Sequence, residues 1–387
     1  MLYNFDQLIH RSDTSCVKYD LRKIFFGSNE VIPMWVADMD FATPDFIRDA
    51  VLERANHPIY GYTFRPQEYY DTIVQWFKRR HHWEIQKEWI QFTPGIVPAL
   101  NLAVLAFTNP DDQIIVQPPV YFPFFSAVRH HNRQLVYNQL LHTGNCYEID
   151  FDLFAKQAEK ASMLILCNPH NPVGRAWRRE ELEKLADICL KNNVLVLSDE
   201  IHGDLVLPGY QHQVFADIAP EIAEITLTGH APSKTFNLAG LGTSSMIISN
   251  NQLRQKFKQT VEGLHIEMGN LFGIAASTAA FKHGDEWLNQ LLNYVQLNIE
   301  FTIGFLAEKL PLIRVFKPEA TYMIWLDFSA YNLTDEDLKR KMVFEAGLGL
   351  NPGIDFGPGG EGFMRINVAC PKSLLETALQ KLQQAFG

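Results

Sequence analysis

An α/β fold, with a large domain built on a mostly parallel sheet covered by helices and a smaller α+β domain beside it, is predicted by three observations. Between about residues 45 and 280, short apolar runs alternate with helical stretches, the pattern of a sheet covered on both faces. Three of those runs lead into segments rich in amide, carboxylate and amine groups, at spacings that suit one strand-helix-strand unit each. Beyond residue 286 the alternation gives way to a long amphipathic helix followed by a few short elements.

The strand candidates, in chain order, are Ile114 to Gln117, Leu135 to Asn138, Met163 to Cys167, Val194 to Ser198, Ile225 to Thr228 and Met246 to Ile248. Each is short and apolar, as a strand buried on both faces must be. Ahead of them, Pro98 to Phe107 reads as an apolar helix whose proline suits a first turn, where no N–H is needed. Leu288, Leu291, Leu292, Val295 and Ile299 recur every three or four residues and put one apolar stripe on a helix from Trp287 to Leu310. A strand at Tyr322 to Phe328, a helix from Asp335 to Ala346, a strand at Met364 to Val368 and a helix from Lys372 to Phe386 complete the smaller domain. The large domain is expected over 45–285.

Composition excludes several classes of function. A net charge of −10, with no basic cluster beyond Lys78-Arg79-Arg80, argues against a nucleic-acid partner, which needs a basic face. That triplet reads as a solvated helix end. The 5 cysteines, Cys16, Cys146, Cys167, Cys189 and Cys370, are scattered, odd in number and form no C-x-x-C pair. They suit a reducing compartment and neither a disulfide framework nor a zinc site, with Cys167 and Cys189 as packing residues. No basic-then-apolar leader opens the chain and no apolar run approaches the ~20 residues of a membrane span, so a cytoplasmic location and no membrane partner are expected.

The chemistry gathers in Asn168-Pro169-His170-Asn171-Pro172, Ser198-Asp199-Glu200-Ile201-His202 and Ser233-Lys234-Thr235-Phe236-Asn237. In open α/β sheets such segments are delivered to one crevice at the carboxyl ends of the strands. An amine for a Schiff base, a carboxylate for a pyridinium nitrogen and an amide donor for a phenolate together describe a site for pyridoxal 5'-phosphate. No metal is expected.

These segments, with Trp35-Val36-Ala37-Asp38-Met39-Asp40-Phe41, Tyr60-Gly61-Tyr62, Thr93-Pro94-Gly95-Ile96-Val97 and Phe363-Met364-Arg365-Ile366-Asn367, give the chain a resemblance along nearly its whole length. It resembles the fold-type I pyridoxal phosphate enzymes of the class I/II aminotransferase group, and within them the MalY/PatB-type cystathionine β-lyase (C-S lyase) branch. The resemblance implies that residues 1–44 join 286–387 in a discontinuous small domain. It implies that Lys234 holds the cofactor and moves the Cα proton, that Asp199 pairs with the ring nitrogen, that Asn171 donates to the phenolic oxygen, and that Tyr121 stacks on the ring. His202 takes a place where many relatives carry tyrosine, and Ser233 counts among the cofactor-binding residues.

Two departures bear on the phosphate. Ala231 stands where many fold-type I enzymes have a phosphate-binding serine, and Gly242 stands where they have an arginine. The turn Gly95-Ile96-Val97 at a helix start is then the expected anion site. Tyr62, with Tyr60 as the alternative, matches a tyrosine that crosses a homodimer interface to the phosphate, which implies an active site shared between protomers. Arg365 matches the arginine that forks onto the substrate α-carboxylate, and the backbone near Ala37 approaches the same group. Asp38 and Asp40 receive no role.

The expected activity is β-elimination from cystathionine or a related cysteine conjugate, with class I/II transamination as the alternative. A cofactor-binding regulator without turnover is a third reading, disfavoured by the full catalytic set. None of these residues alone separates elimination from transamination.

Overall fold

A computed structural model describes residues 2–144 and 146–387. Seven strands form the main sheet: β1 (Ile90–Thr93), β2 (Gln113–Val116), β3 (Gln134–Tyr137), β4 (Ala161–Cys167), β5 (Leu195–Asp199), β6 (Thr226–His230) and β7 (Ser244–Ile247). Their spatial order is β1-β7-β6-β5-β4-β2-β3. Only β7 is reversed, pairing antiparallel with β1 and β6, while the remaining pairs are parallel.

The unbroken apolar runs follow from burial on both faces. Along β4, Met163, Ile165 and Cys167 pack with Leu100 and Val104 of the helix Ile96–Phe107. Leu164 and Leu166 turn the other way, onto Leu182 and Leu185 of the helix Arg179–Asn192. The period of two is therefore present but hidden, because both sets are apolar. β1 escapes the sequence reading because Gln91 and Thr93 leave it only two large apolar residues. The reversal of β7 escapes it too, since side-chain alternation is the same in either strand direction.

The second sheet is antiparallel, with β8 (Arg314–Phe316), β9 (Met323–Asp327), β10 (Asn351–Pro352) and β11 (Phe363–Asn367) in the order β8-β9-β11-β10. The helix Asp285–Lys309 buries Leu288, Leu291, Leu292, Val295 and Ile299 in one cluster with Leu375, Leu379 and Leu382 of the helix Lys372–Phe386. Phe5, Met34 and Phe41 from the start of the chain enter that same cluster. Ile32–Pro33 pairs in parallel with Leu348–Gly349, tying the first segment to the last part of the chain.

Among the described residues no helix is long and apolar enough to cross a membrane. Cys167 and Cys189 are buried and all five cysteines are free.

Leu291 is fully buried where the long helix meets the second sheet. Leu291→Ala should cost about 2–5 kcal/mol through lost burial and the cavity left behind. The midpoint of urea unfolding measures it.

Candidate active site

Strand order brings the chemistry together. β6, β5 and β4 are consecutive neighbours, and the loops leaving their carboxyl ends carry Lys234, the segment Asp199 to His202, and Asn171. One cavity is lined by Gly95, Ile96, Val97, Tyr121, Asn171, Asp199, His202, Ser233 and Lys234, with Ala37 on its wall. Cys167, Ile201, Ala239, Gly242 and Thr243 line it as well.

Lys234 sits in a single turn, Pro232–Thr235, directly after β6. Its Nζ donates to the Ala37 carbonyl at 2.7 Å. Burial and the nearby Arg365 charge bring the ammonium down from 10.5 to about 8, against the opposing pull of Asp38 and Asp199. The amine is therefore partly neutral near physiological pH.

Asp199 ends β5 and accepts the Ile201 N–H at 3.2 Å. Among the described residues no basic side chain lies within ion-pair distance of it. Burial lifts its carboxyl from 3.8 to about 7, although the Ile201 bond and the Lys234 charge work the other way. His202 is pushed down from 6.5 to about 3, first by burial and then by the Lys234 and Arg365 charges, so its imidazole is neutral. Its Nδ1 is buried without a partner.

Asn171 and Arg365 are coupled. Arg365, on β11, donates from Nη1 to Asn171 Oδ1 at 2.9 Å, which leaves the Asn171 amide nitrogen as the free end of that side chain. Arg365 Nη2 donates to Asn351 Oδ1 at 2.7 Å and to the Trp35 carbonyl at 2.9 Å, while Nε has no partner. No carboxylate pairs with this buried guanidinium among the described residues. Burial lowers its pKa from 12.5 to about 10.

At one end of the cavity lies the start of the helix Ile96–Phe107, which has no side-chain cap. Gly95 precedes it at φ 156° and ψ 162°, a conformation open to glycine and essentially closed to other residues. Uncapped N–H groups at a helix start attract anions. Tyr121 lines the cavity with burial raising its phenol. Tyr62 is elsewhere: it is fully exposed and does not reach this chain's own cavity. Tyr60 is held by its own chain, donating from its hydroxyl to the Ala55 carbonyl at 2.6 Å.

Several residues the sequence reading left out fix the wall carrying Ala37. Asn367 Nδ2 donates to the Val36 and Asp38 carbonyls at 2.7 and 2.6 Å. Asn237 exchanges bonds with the Met39 backbone, and the Tyr322 hydroxyl donates to the Ala37 carbonyl at 3.0 Å. Asp38 and Asp40 now have a purpose. Arg11 bridges both carboxylates at 2.7 and 2.6 Å, and the buried Lys18 meets Asp40 at 2.8 Å. Their only advance signal was two acidic residues flanking Met39 in an otherwise apolar segment, with no hint of which cations they meet.

The profile of the family described as aminotransferase class I and II matches residues 29–382. This chain belongs to that family. It is 44% identical to cystathionine beta-lyase PatB of Bacillus subtilis (strain 168), over 99% of this chain and 100% of the relative. It superposes with a TM-score of 0.99 on a PLP-bound putative aminotransferase from Clostridium difficile 630, at 41% identity and full coverage of both chains. Cystalysin from Treponema denticola, whose structure contains pyridoxal 5'-phosphate, follows at a TM-score of 0.96 and 37% identity, covering 100% of this chain and 99% of that one.

Because the folded carboxyl of Asp199 titrates near 7 against 3.8 when exposed, the folded cofactor-free protein holds more protons than the unfolded chain between those values. Stability contributed by this group is therefore lost as pH rises from about 4 to about 7. Asp199→Asn should melt above the wild type at pH 8 in the cofactor-free form, with the gap closing toward pH 4, as thermal denaturation across pH will show.

Proposed function

We propose that this chain is a pyridoxal 5'-phosphate-dependent carbon-sulfur β-lyase, cleaving cystathionine or a related L-cysteine S-conjugate to a thiol, pyruvate and ammonia. The observation that carries the reading is that three buried groups, two lining the cavity and one bonded to its Asn171, lack an oppositely charged side chain at ion-pair distance among the described residues. They are the Lys234 amine near its neutral form, the Asp199 carboxylate without a cation, and beside them the Arg365 guanidinium without a carboxylate. A pyridoxal phosphate with an amino-acid substrate supplies what each lacks: an electrophilic carbon, a protonated ring nitrogen and an α-carboxylate. The choice of lyase rests on the likeness to PatB along the whole chain.

Bound pyridoxal phosphate contributes a ring that accepts the electron pair left when Cα loses its proton. The residues of this chain do the rest. Lys234 takes the Cα proton on Nζ, a role suited to a base that titrates near 8. Arg365 grips the substrate carboxylate with its fork and sets which face of Cα meets Lys234. Asp199 would pair as a carboxylate with a protonated ring nitrogen, whose positive charge would favour the ionised form that burial disfavours. Asn171, its oxygen engaged by Arg365, offers its amide N–H to the phenolic oxygen, and the neutral His202 stands on the same wall. The N–H groups at Gly95, Ile96 and Val97 would hold the phosphate, with Ser233 alongside, and Tyr121, on the same cavity wall, would pack on the ring. Expulsion of the thiolate from Cβ then separates elimination from amino transfer.

The same reading extends to the assembly. A homodimer is proposed in which Tyr62 reaches the partner's phosphate; its complete exposure, with Tyr60 tied to Ala55, supports Tyr62 for that task. The domain division proposed is 45–285 against 1–44 with 286–387, supported by the pairing of Ile32–Pro33 with Leu348–Gly349. A cytoplasmic location is proposed, in keeping with five free cysteines.

Incubated with cystathionine or an S-alkyl cysteine, the enzyme should release pyruvate and thiol without added 2-oxo acid. Strict dependence on a 2-oxo acid, with no pyruvate formed, assigns it to the transaminases instead. Arg365→Lys keeps the charge and loses the fork, so KM should rise about 10–100-fold, the equivalent of one charge-assisted hydrogen bond. Steady-state kinetics on the same substrate measure it.

A further inference from the structure

Outside the cavity, the buried Asp204 carboxylate accepts four hydrogen bonds. Its Oδ1 accepts from Trp76 Nε1 at 2.9 Å and His81 Nε2 at 2.8 Å, both on the helix Gln67–His81. Its Oδ2 accepts from His230 Nε2 at 3.1 Å and Thr235 Oγ1 at 2.8 Å. Those last two residues flank Lys234, one ending β6 and the other following the lysine directly. Asp204 itself lies just beyond Asp199 and His202, in the turn Gly203–Leu205. One carboxylate thus ties both sides of the lysine turn to the loop that carries the ring-facing acid.

We infer that Asp204 is a positioning residue, which fixes the Lys234 turn against the Asp199 loop so that the amine meets its target at the right distance and angle. The inference rests on the proposed role of Lys234. Its physical basis is tolerance: a reacting pair must be held within about 0.5 Å and 10–20°, and a side chain on a short turn lacks that precision unless neighbouring bonds lock it. A carboxylate accepting four donors in a dry site is a strong lock, since each bond to an ionised acceptor is worth about twice a neutral one.

The three side chains His81, Asp204 and His230 also lie close enough together to ligate a cation. The hydrogen bonds argue against that use. Both Nε2 atoms face a carboxylate that, ionised, can only accept, so each imidazole presents Nε2–H there and a metal would have to displace those protons.

The test removes one bond without changing shape. In Thr235→Val the methyl replaces the hydroxyl; in Thr235→Ser the hydroxyl returns. Cofactor-free protein is mixed with pyridoxal phosphate, and the rate of forming a borohydride-fixable adduct at position 234 is followed by mass spectrometry. The loaded enzyme is assayed for kcat and KM, and unfolding is followed by melting. Thr235→Val should capture the cofactor about tenfold more slowly and lower kcat with KM unchanged, and Thr235→Ser should restore both. Wild-type capture and kcat in Thr235→Val, with only the melting point lowered, would overturn the inference and leave Asp204 a structural residue. A stoichiometric metal in the purified enzyme, whose removal abolishes capture, would overturn it also. Absence of any adduct in the wild type is the separate result that defeats the Lys234 reading itself.

Discussion

Charge buried with too few opposite charges beside it is the constraint on which the rest of this structure depends. Water would let Lys234, Asp199 and Arg365 ionise freely; burial instead draws the amine down to about 8, the carboxyl up to about 7 and the guanidinium down to about 10. All three shifts have the same first cause, desolvation of the charged form. Such an arrangement weakens the folded state, and the surrounding fold has to offset it. A ligand carrying the missing charges would relieve it, which is why the cavity reads as a binding site and not as a structural ion cluster.

The fold answers that demand with rigid supports on several sides. The parallel strands β4, β5 and β6 deliver three loops to one edge of the sheet, each strand locked by apolar packing on both faces. The wall carrying Ala37 is stitched by Asn237, Asn367, Tyr322 and Arg365, which come from both the lysine loop and the second sheet. Arg11 and Lys18 hold that wall from behind through Asp38 and Asp40. Three regions distant in sequence therefore meet on the one segment whose Ala37 carbonyl accepts from the amine.

Much of this was legible beforehand, for identifiable reasons. The helix Lys372–Phe386 was read to the residue and Asp285–Lys309 nearly so, because amphipathic stripes repeat over many turns. The central strands were read within a residue or two because buried strands are short, apolar and bounded by polar loops. β1, β8 and β10 were missed, since edge strands of two to four residues, such as β1 with Gln91 and Thr93, carry too weak a pattern. The partners of Asp38 and Asp40 were missed because an ion pair between residues 11 and 38 leaves no periodic trace.

By itself the order of residues determined the class of fold and the chemical kinds gathered in it, since periodicity and residue type are local properties written along the chain. Which strand lies beside which, which carboxylate goes unpaired and which carbonyl receives the lysine were decided only by the tertiary structure. Those outcomes depend on distance and on exclusion of water, and both arise when segments hundreds of residues apart close around the same cavity.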